Sequence, residues 1–168
     1  MAAGNTYVAI AEQTVSGSTT NQVDFTSISG SYTDLRLVVN GFTVTSTDNL
    51  FLRINSDTGS NYSQSQVYGD GTSAGSTRTT NRTSIYFTAW GNISTTPHLW
   101  TTDLLNYSNT TTYKSMLFRE ADNENATGAS VALWRSTSAI TSLSIYLATA
   151  TKYFGAGSTL TLDGSAAA

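Results

Sequence analysis

Two packed antiparallel β-sheets in a single domain are what this sequence predicts, and three observations carry the prediction. The residues that sit well on a pleated sheet are abundant: 30 Thr, 9 Tyr, 6 Phe and 3 Trp stand among many Val and Ile. Apolar residues recur in short runs with a period of two, each bounded by clusters of Gly, Asn, Asp and Ser. No strong run with helical spacing interrupts them, and a single Pro stands in the whole chain. A chain of 168 residues removes roughly 70% of its unfolded surface on folding, enough for one real core.

The elements follow in order. Thr6–Ala11 is the first short strand, preceded by an arm of residues 1–5. Gln22–Ile28 is the second, with Val23 and Phe25 on one face. In TDLRLVV, Leu35, Leu37 and Val39 share a face, and Asn40-Gly41 reads as a type I′ turn into FTVT, because both central residues of that turn need positive φ. Leu50–Asn55 points Leu50, Leu52 and Ile54 inward. Residues 55–83 read mostly as loop around one short strand at Gln66–Tyr68. Strands return at Ser84–Trp90, His98–Tyr107, Tyr113–Arg119, Ala129–Arg135, Leu143–Ala148 and Thr159–Asp163, with a tail over 164–168. About 8–11 short strands at regular spacing, with little or no helix, make a sandwich or barrel. The expected core is Leu35, Leu37, Val39, Leu52, Ile54, Ile85, Phe87, Leu104, Leu117, Val131, Leu133, Leu143, Ile145 and Leu160.

Charge excludes several functions. Only 11% of residues are charged, the net charge is −3 and two lysines are present, Lys114 and Lys152. A nucleic-acid partner is not expected, since it requires a clustered basic face to displace phosphate counterions. Polarity is carried instead by 23 Ser, 30 Thr and 12 Asn. No apolar run approaches the roughly 18 residues of a membrane helix, and MAAGNTYVAI lacks the basic and apolar regions of a signal peptide. There is no Cys and one His, His98, so a zinc site is not expected.

Four kinds of chemistry can be tried on the residues. Asn55, Asp57, Gly59 and Asn61 alternate as the early ligands of calcium loops do, but Gln66 stands where the bidentate Glu of an EF-hand belongs. The same alternation is what a tight turn requires. His98 has many Ser and Asp residues available to it, without a G-x-S-x-G elbow. Carboxylate pairs for glycoside hydrolysis could come from Asp48, Asp57, Asp70, Asp103, Glu120, Asp122 and Glu124. Trp90, Trp100 and Trp134 could stack on sugars, although Trp in short alternating strands mostly packs in cores. Six N-x-S/T sequons, at Asn61, Asn81, Asn92, Asn106, Asn109 and Asn125, are what so much Asn, Ser and Thr throws up largely by chance. No cofactor and no catalysis are expected.

SYTDLRLVV (31–39), LRINSDTGSNYS (52–63), YGDGT (68–72), NYSNTTTYKSML (106–117), LWRSTSAITSLSIY (133–146) and FGAGSTLTLDG (154–164) resemble, in order, a family of small bacteriophage virion proteins encountered in phages of cyanobacteria and other aquatic hosts. Members often close on an aromatic-Gly-Ile stretch, where this chain has Leu162-Asp163-Gly164. The resemblance implies a jelly-roll-like β-sandwich on the virion surface, made in the host cytoplasm and commonly trimeric. Its implied role is capsid decoration (cement) or head fibre. The alternative is a tail-fibre or receptor-binding module that recognises host glycan. Short, uncharged side chains make Met1, Ala2, Ala3, Gly4 and Asn5, with Ser165, Ala166, Ala167 and Ala168, the candidates for capsid attachment. Asp70–Arg82 and Glu120–Gly128 are expected as exposed tip loops.

Overall fold

The structure, a computed structural model, describes residues 6–88, 92–122 and 126–165. Among them there are twelve strands and no helix. They are β1 (Tyr7–Thr14), β2 (Gln22–Phe25), β3 (Asp34–Phe42), β4 (Leu50–Ile54), β5 (Tyr62–Gly69), β6 (Ala74–Arg82), β7 (Ile85–Tyr86), β8 (His98–Leu105), β9 (Lys114–Asp122), β10 (Thr127–Trp134), β11 (Leu143–Leu147) and β12 (Thr159–Ser165).

Every ladder is antiparallel, and the strands form an eight-stranded sheet, β1-β12-β3-β8-β9-β10-β5-β6, and a four-stranded sheet, β2-β11-β4-β7. Four of the pairings nest: β1 with β12, β2 with β11, β3 with β8 and β4 with β7. A long hairpin wrapped into two layers pairs its strands in this way, which makes the fold a jelly-roll-like sandwich. Two hairpins are inserted into that plan. β5–β6 lies between β4 and β7, β9–β10 lies between β8 and β11, and together they widen the first sheet to eight strands.

The core lies between the sheets, where the period-two pattern places it. Leu35, Leu37 and Val39 of β3, Leu160 and Leu162 of β12, and Trp100 and Leu104 of β8 face Leu50, Leu52 and Ile54 of β4 and Leu143 and Ile145 of β11, all buried. At one end Phe42 meets Trp100 and Phe154 edge-on, and Phe87 meets Trp100 and Phe118 likewise, the arrangement that aromatic quadrupoles prefer.

Eleven of the fourteen expected core residues are buried. The exceptions share a cause. Leu117 and Val131 are 43% and 54% exposed, and Leu133 is half-buried, because β9 and β10 turn their other parity inward: Lys114, Met116 and Phe118, and Ser130, Ala132 and Trp134. Residues 62–82 are a hairpin rather than loop; its inward side chains on β5 are Tyr62, Gln64 and Gln66, and β6 buries nothing. Asn40-Gly41 is no hairpin turn either. Only Gly41 has positive φ (59°), and it sits in a bulge of β3, where the register against β8 shifts between Val39 and Phe42. The expected tail begins inside β12, since Gly164 and Ser165 pair with both β3 and β1. Ser84–Trp90 contracts to the short β7, and Trp90 lies outside the described residues.

Candidate interaction surface

A sandwich buries one face of each sheet and normally wets the other. The outer face of the eight-stranded sheet departs from this rule where the inserted hairpins widen it. Residues 99, 101, 103 and 105 of β8, 117 and 119 of β9, 129 and 131 of β10, and 65 and 67 of β5 point outward, opposite their buried neighbours. Five of these are large aliphatic side chains with a third or more of their surface exposed: Leu99, Leu105, Leu117, Val131 and Val67, the last at 59%. Two cross-strand rows carry Leu117, Val131 and Val67, with Leu105 and Leu99 in the rows on either side. One runs Asp103–Leu117–Val131–Ser65–Arg78 and the next runs Thr101–Arg119–Ala129–Val67–Ser76.

The surface is concave. A cleft of about 710 Å³ has Val67, Leu117, Ala129 and Val131 on its floor, with Arg78 and Arg119 beside them. A second cleft of about 450 Å³ continues past Val67, Arg119 and Ala129 to Gly69 and Thr127 at the hairpin tips. A third, of about 230 Å³, adjoins the first at Asp103 and leads past Leu105 and Arg36 to Tyr7 and Ser165. The first two, which share Val67, Arg119 and Ala129, make one groove across the outer face.

Charge along the groove is uneven. Asp103 is held in a two-bond pair by Arg36, Nε to Oδ1 at 2.7 Å and Nη2 to Oδ2 at 3.1 Å, and the Arg36 guanidinium lies 5.0 Å from the Tyr7 ring centre. The bond to Asp103 raises the Arg36 pKa, with burial opposing it. Arg78 and Arg119 are exposed and take part in neither of the two ion pairs, Arg36–Asp103 and Lys152–Asp48, found among the described residues.

The sites expected from sequence fall elsewhere. Asn55, Asp57, Gly59 and Asn61 form a self-satisfied turn. Asp57 accepts the Gly59 N–H on Oδ1 at 2.8 Å, and the Asn61 amide at 2.9 Å and the Trp134 indole N–H at 2.7 Å on Oδ2. Burial pushes its pKa up, but these donors outweigh it and hold Asp57 below the usual carboxylate range. Asn55 turns away, accepting the Thr141 and Ser142 N–H groups and donating to the Ala139 carbonyl. Among the described residues no group of three His, Cys, Asp or Glu is placed to hold a metal.

His98 is buried and stacked on Trp100 at 5.0 Å, with the ring planes 6° apart. Ser94 Oγ lies 3.3 Å from its Nε2, but that nitrogen already accepts the Ser94 main-chain N–H at 3.1 Å. The lone pair that a general base needs is therefore engaged. The carboxylates are dispersed into structural contacts. Asp48 accepts from Thr149, Asp70 caps the Thr72–Ser73 turn, Glu120 accepts the Trp100 indole N–H and Asp122 accepts from Thr96. Glu124 lies outside the described residues.

Trp100 and Trp134 are core residues, 1% and 2% exposed. The aromatic side chains that do share an outer face are Tyr146, Phe51 and Tyr86, one row across β11, β4 and β7, with Arg53 stacked on Tyr146 and Arg82 on Tyr86. The tip loops are shorter than expected. Asp70–Ser73 closes β5 to β6, because Ala74–Arg82 is strand, and β9 runs on to Asp122 before β10 begins at Thr127. Of the attachment candidates, Ser165 is a sheet residue whose Oγ accepts the Asp34 N–H. Residues 1–5 and 166–168 lie outside the described residues. The apolar groove itself went unread in the sequence. Its signal was there, in runs such as Met116-Leu117-Phe118 and Val131-Ala132-Leu133 that are apolar on both parities.

No family model and no curated protein matches the chain. Among solved structures, an alginate lyase mutant in complex with an alginate tetrasaccharide is similar at 7% identity and a TM-score of 0.28, over 81% of this chain and 70% of that one. A likeness so distant says nothing about the chemistry of this chain.

Proposed function

We propose that this chain is a non-enzymatic structural protein of a bacteriophage virion, a capsid decoration (cement) or head-fibre protein that self-assembles, as a trimer, and binds the particle surface. The observation that carries the reading is the exposed aliphatic outer face of the widened sheet: Leu99, Leu105, Leu117, Val131 and Val67 on one side of one sheet. Contiguous apolar surface of this kind marks a place where another protein belongs. The jelly roll does not need most of it, since Leu117, Val131 and Val67 stand on the two inserted hairpins. The family resemblance supports the same reading, as does a surface poor in charge, because interface cores are depleted in charged residues.

Its mechanism is mechanical. A subunit that binds the assembled shell and not its dissociated parts stabilises the shell by mass action. With few lysines, little side-chain entropy is lost when such a surface is covered.

Reconstruction of the intact particle tests the proposal, and density for this jelly roll on the capsid surface is the expected result. Its presence on tail fibres alone, or tight binding of host polysaccharide, would replace this reading with the receptor-binding one. Its absence from the particle would end both.

A further inference from the structure

We infer that the outer-face groove seats an extended, acidic polypeptide segment of a neighbouring shell protein, with carboxylates four residues apart and an apolar residue between them. The inference rests on the reading above and names the chemistry of the partner.

The floor chooses the class. Val67, Leu117, Ala129 and Val131 are aliphatic, which suits aliphatic side chains and offers sugars no ring to stack on. Two isolated arginines on a chain of net charge −3 make no track for nucleic acid. The concavity, about 710 Å³ prolonged by a second cleft of about 450 Å³, falls in the size range of a ligand cleft.

The walls choose the charge. Asp103 is neutralised by Arg36, whereas Arg78 and Arg119 stand free of ion pairs among the described residues. The groove therefore presents two guanidinium groups, each able to take a carboxylate through parallel N–H bonds.

The ladder sets the spacing. Arg119 on β9 and Arg78 on β6 are three strand steps apart and offset by two residues along the strands. At about 4.8 Å per step and about 3.4 Å per residue, the Cα separation is about 16 Å. An extended chain covers about 13–14 Å in four residues, and the reach of two arginines closes the rest. Residues i, i+2 and i+4 of an extended segment share a face, so the residue between the carboxylates lies over Val131 and Val67. The strands under the groove floor, β9, β10 and β5, each pair on both sides, so recognition over the floor runs through side chains.

The test uses the full chain and a fluorescein-labelled peptide centred on Glu-Ser-Val-Ser-Glu, read by anisotropy at low salt. Saturable binding is expected, weakened at least tenfold by the paired changes Arg78→Glu and Arg119→Glu, and weakened by added salt. The charge-reversed peptide, centred on Lys-Ser-Val-Ser-Lys, should bind the doubly substituted protein and not the original, which separates recognition from a folding defect. A peptide with Ser in place of the central Val should bind less well. Equal binding of both peptides to both proteins, or none, overturns the inference and leaves the particle reconstruction unaffected. Loss of self-assembly in the doubly substituted protein, without any peptide preference, makes the groove a contact between copies and overturns it as well.

Discussion

The Gln64 side chain is hydrogen-bonded to both main-chain groups of Tyr86: its Nε2 donates to the carbonyl at 2.8 Å and its Oε1 accepts the N–H at 3.1 Å. A side chain of the wide sheet thus does for β7, at the edge of the small sheet, what a fifth strand would do. Gln66 extends the arrangement by donating to the Thr88 carbonyl at 3.0 Å. An open edge is a template for unwanted pairing, and here the inserted hairpin closes it from within.

Gln64→Leu keeps the bulk and removes both bonds. Leaving a buried polar group unpaired costs about 1–3 kcal/mol, so the variant should lose stability in that range by urea unfolding. A stability unchanged from the original would mean that the edge finds other partners.

Those glutamines also explain what could be read in the sequence. In β3, β4 and β11 the inward parity is apolar while the outward one mixes polar with apolar residues, and the inward face is plain from Leu35-Arg36-Leu37 or Leu52-Arg53-Ile54. The β5–β6 hairpin hides because its inward residues are a tyrosine and two amides, and its outer strand buries nothing. In β9 and β10 both parities mix large apolar with polar residues, so hydrophobicity alone does not set the register. Tertiary bonds set it instead: the Trp134 indole reaches Asp57, and Lys114 Nζ donates to the Thr112 and Thr137 carbonyls. The interaction surface was illegible for the same reason, since an outward apolar face and a core face look alike along one strand.

Neighbouring residues on β9 should therefore respond oppositely to substitution. Leu117→Ser with Val131→Ser changes two exposed side chains and should shift stability by no more than about 0.5 kcal/mol per site, while weakening co-sedimentation of the protein with particles. Met116→Ala, one residue away and fully buried, should cost about 2–5 kcal/mol. Co-sedimentation that survives the serine pair would remove the outer face from the contact with the particle.

His98 gives the fold a pH dependence. Burial holds its pKa below the ordinary 6.5, the nearby Asp122 charge opposing this more weakly, and Nε2 accepts the Ser94 N–H as only a neutral ring can. Above the unfolded value both states are neutral and nothing is gained or lost. As pH falls through about 6.5 the unfolded chain takes up a proton that the folded one resists, so stability declines. Unfolding midpoints measured from pH 7.5 to 5 should fall, and His98→Gln should flatten the slope. A slope unaffected by that change assigns the dependence to another group.

Asp57 works in the opposite part of the pH scale. Its folded pKa is depressed, so the charged turn stabilises the protein above the ordinary carboxylate value and loses that contribution as pH drops through the folded one. Asp57→Asn should cost about 1–2 kcal/mol at neutral pH, with the gap to the original closing below about pH 4. Because the donors on Asp57 come from the protein itself, a chelator should leave the melting temperature unchanged. A fall of many degrees on chelation would make the Asn55–Asn61 loop a calcium site.

Trimming the two ends should have opposite consequences. Residues 1–5 precede β1, an edge strand whose ladder with β12 begins at Tyr7↔Ser165 and which buries little of its surface. Removing them touches none of that ladder, so the melting temperature should hold. Residues 164 and 165 are in a different position, because β12 lies between β1 and β3. The Ser165 carbonyl accepts the Thr33 N–H at 3.0 Å and its Oγ accepts the Asp34 N–H at 3.1 Å. Gly164 packs so closely on Tyr32 that a Cβ there would sit 2.3 Å from the ring. Removing residues 164–168 should therefore lower the melting temperature by several degrees, the scale expected when about 1–2 kcal/mol is lost from a domain of this size. If the uncharged arm is the attachment element, protein lacking residues 1–5 should stay folded yet no longer co-sediment with particles. Normal co-sedimentation of that truncated protein would discard the arm and leave the outer face of the wide sheet as the surface by which the particle is held.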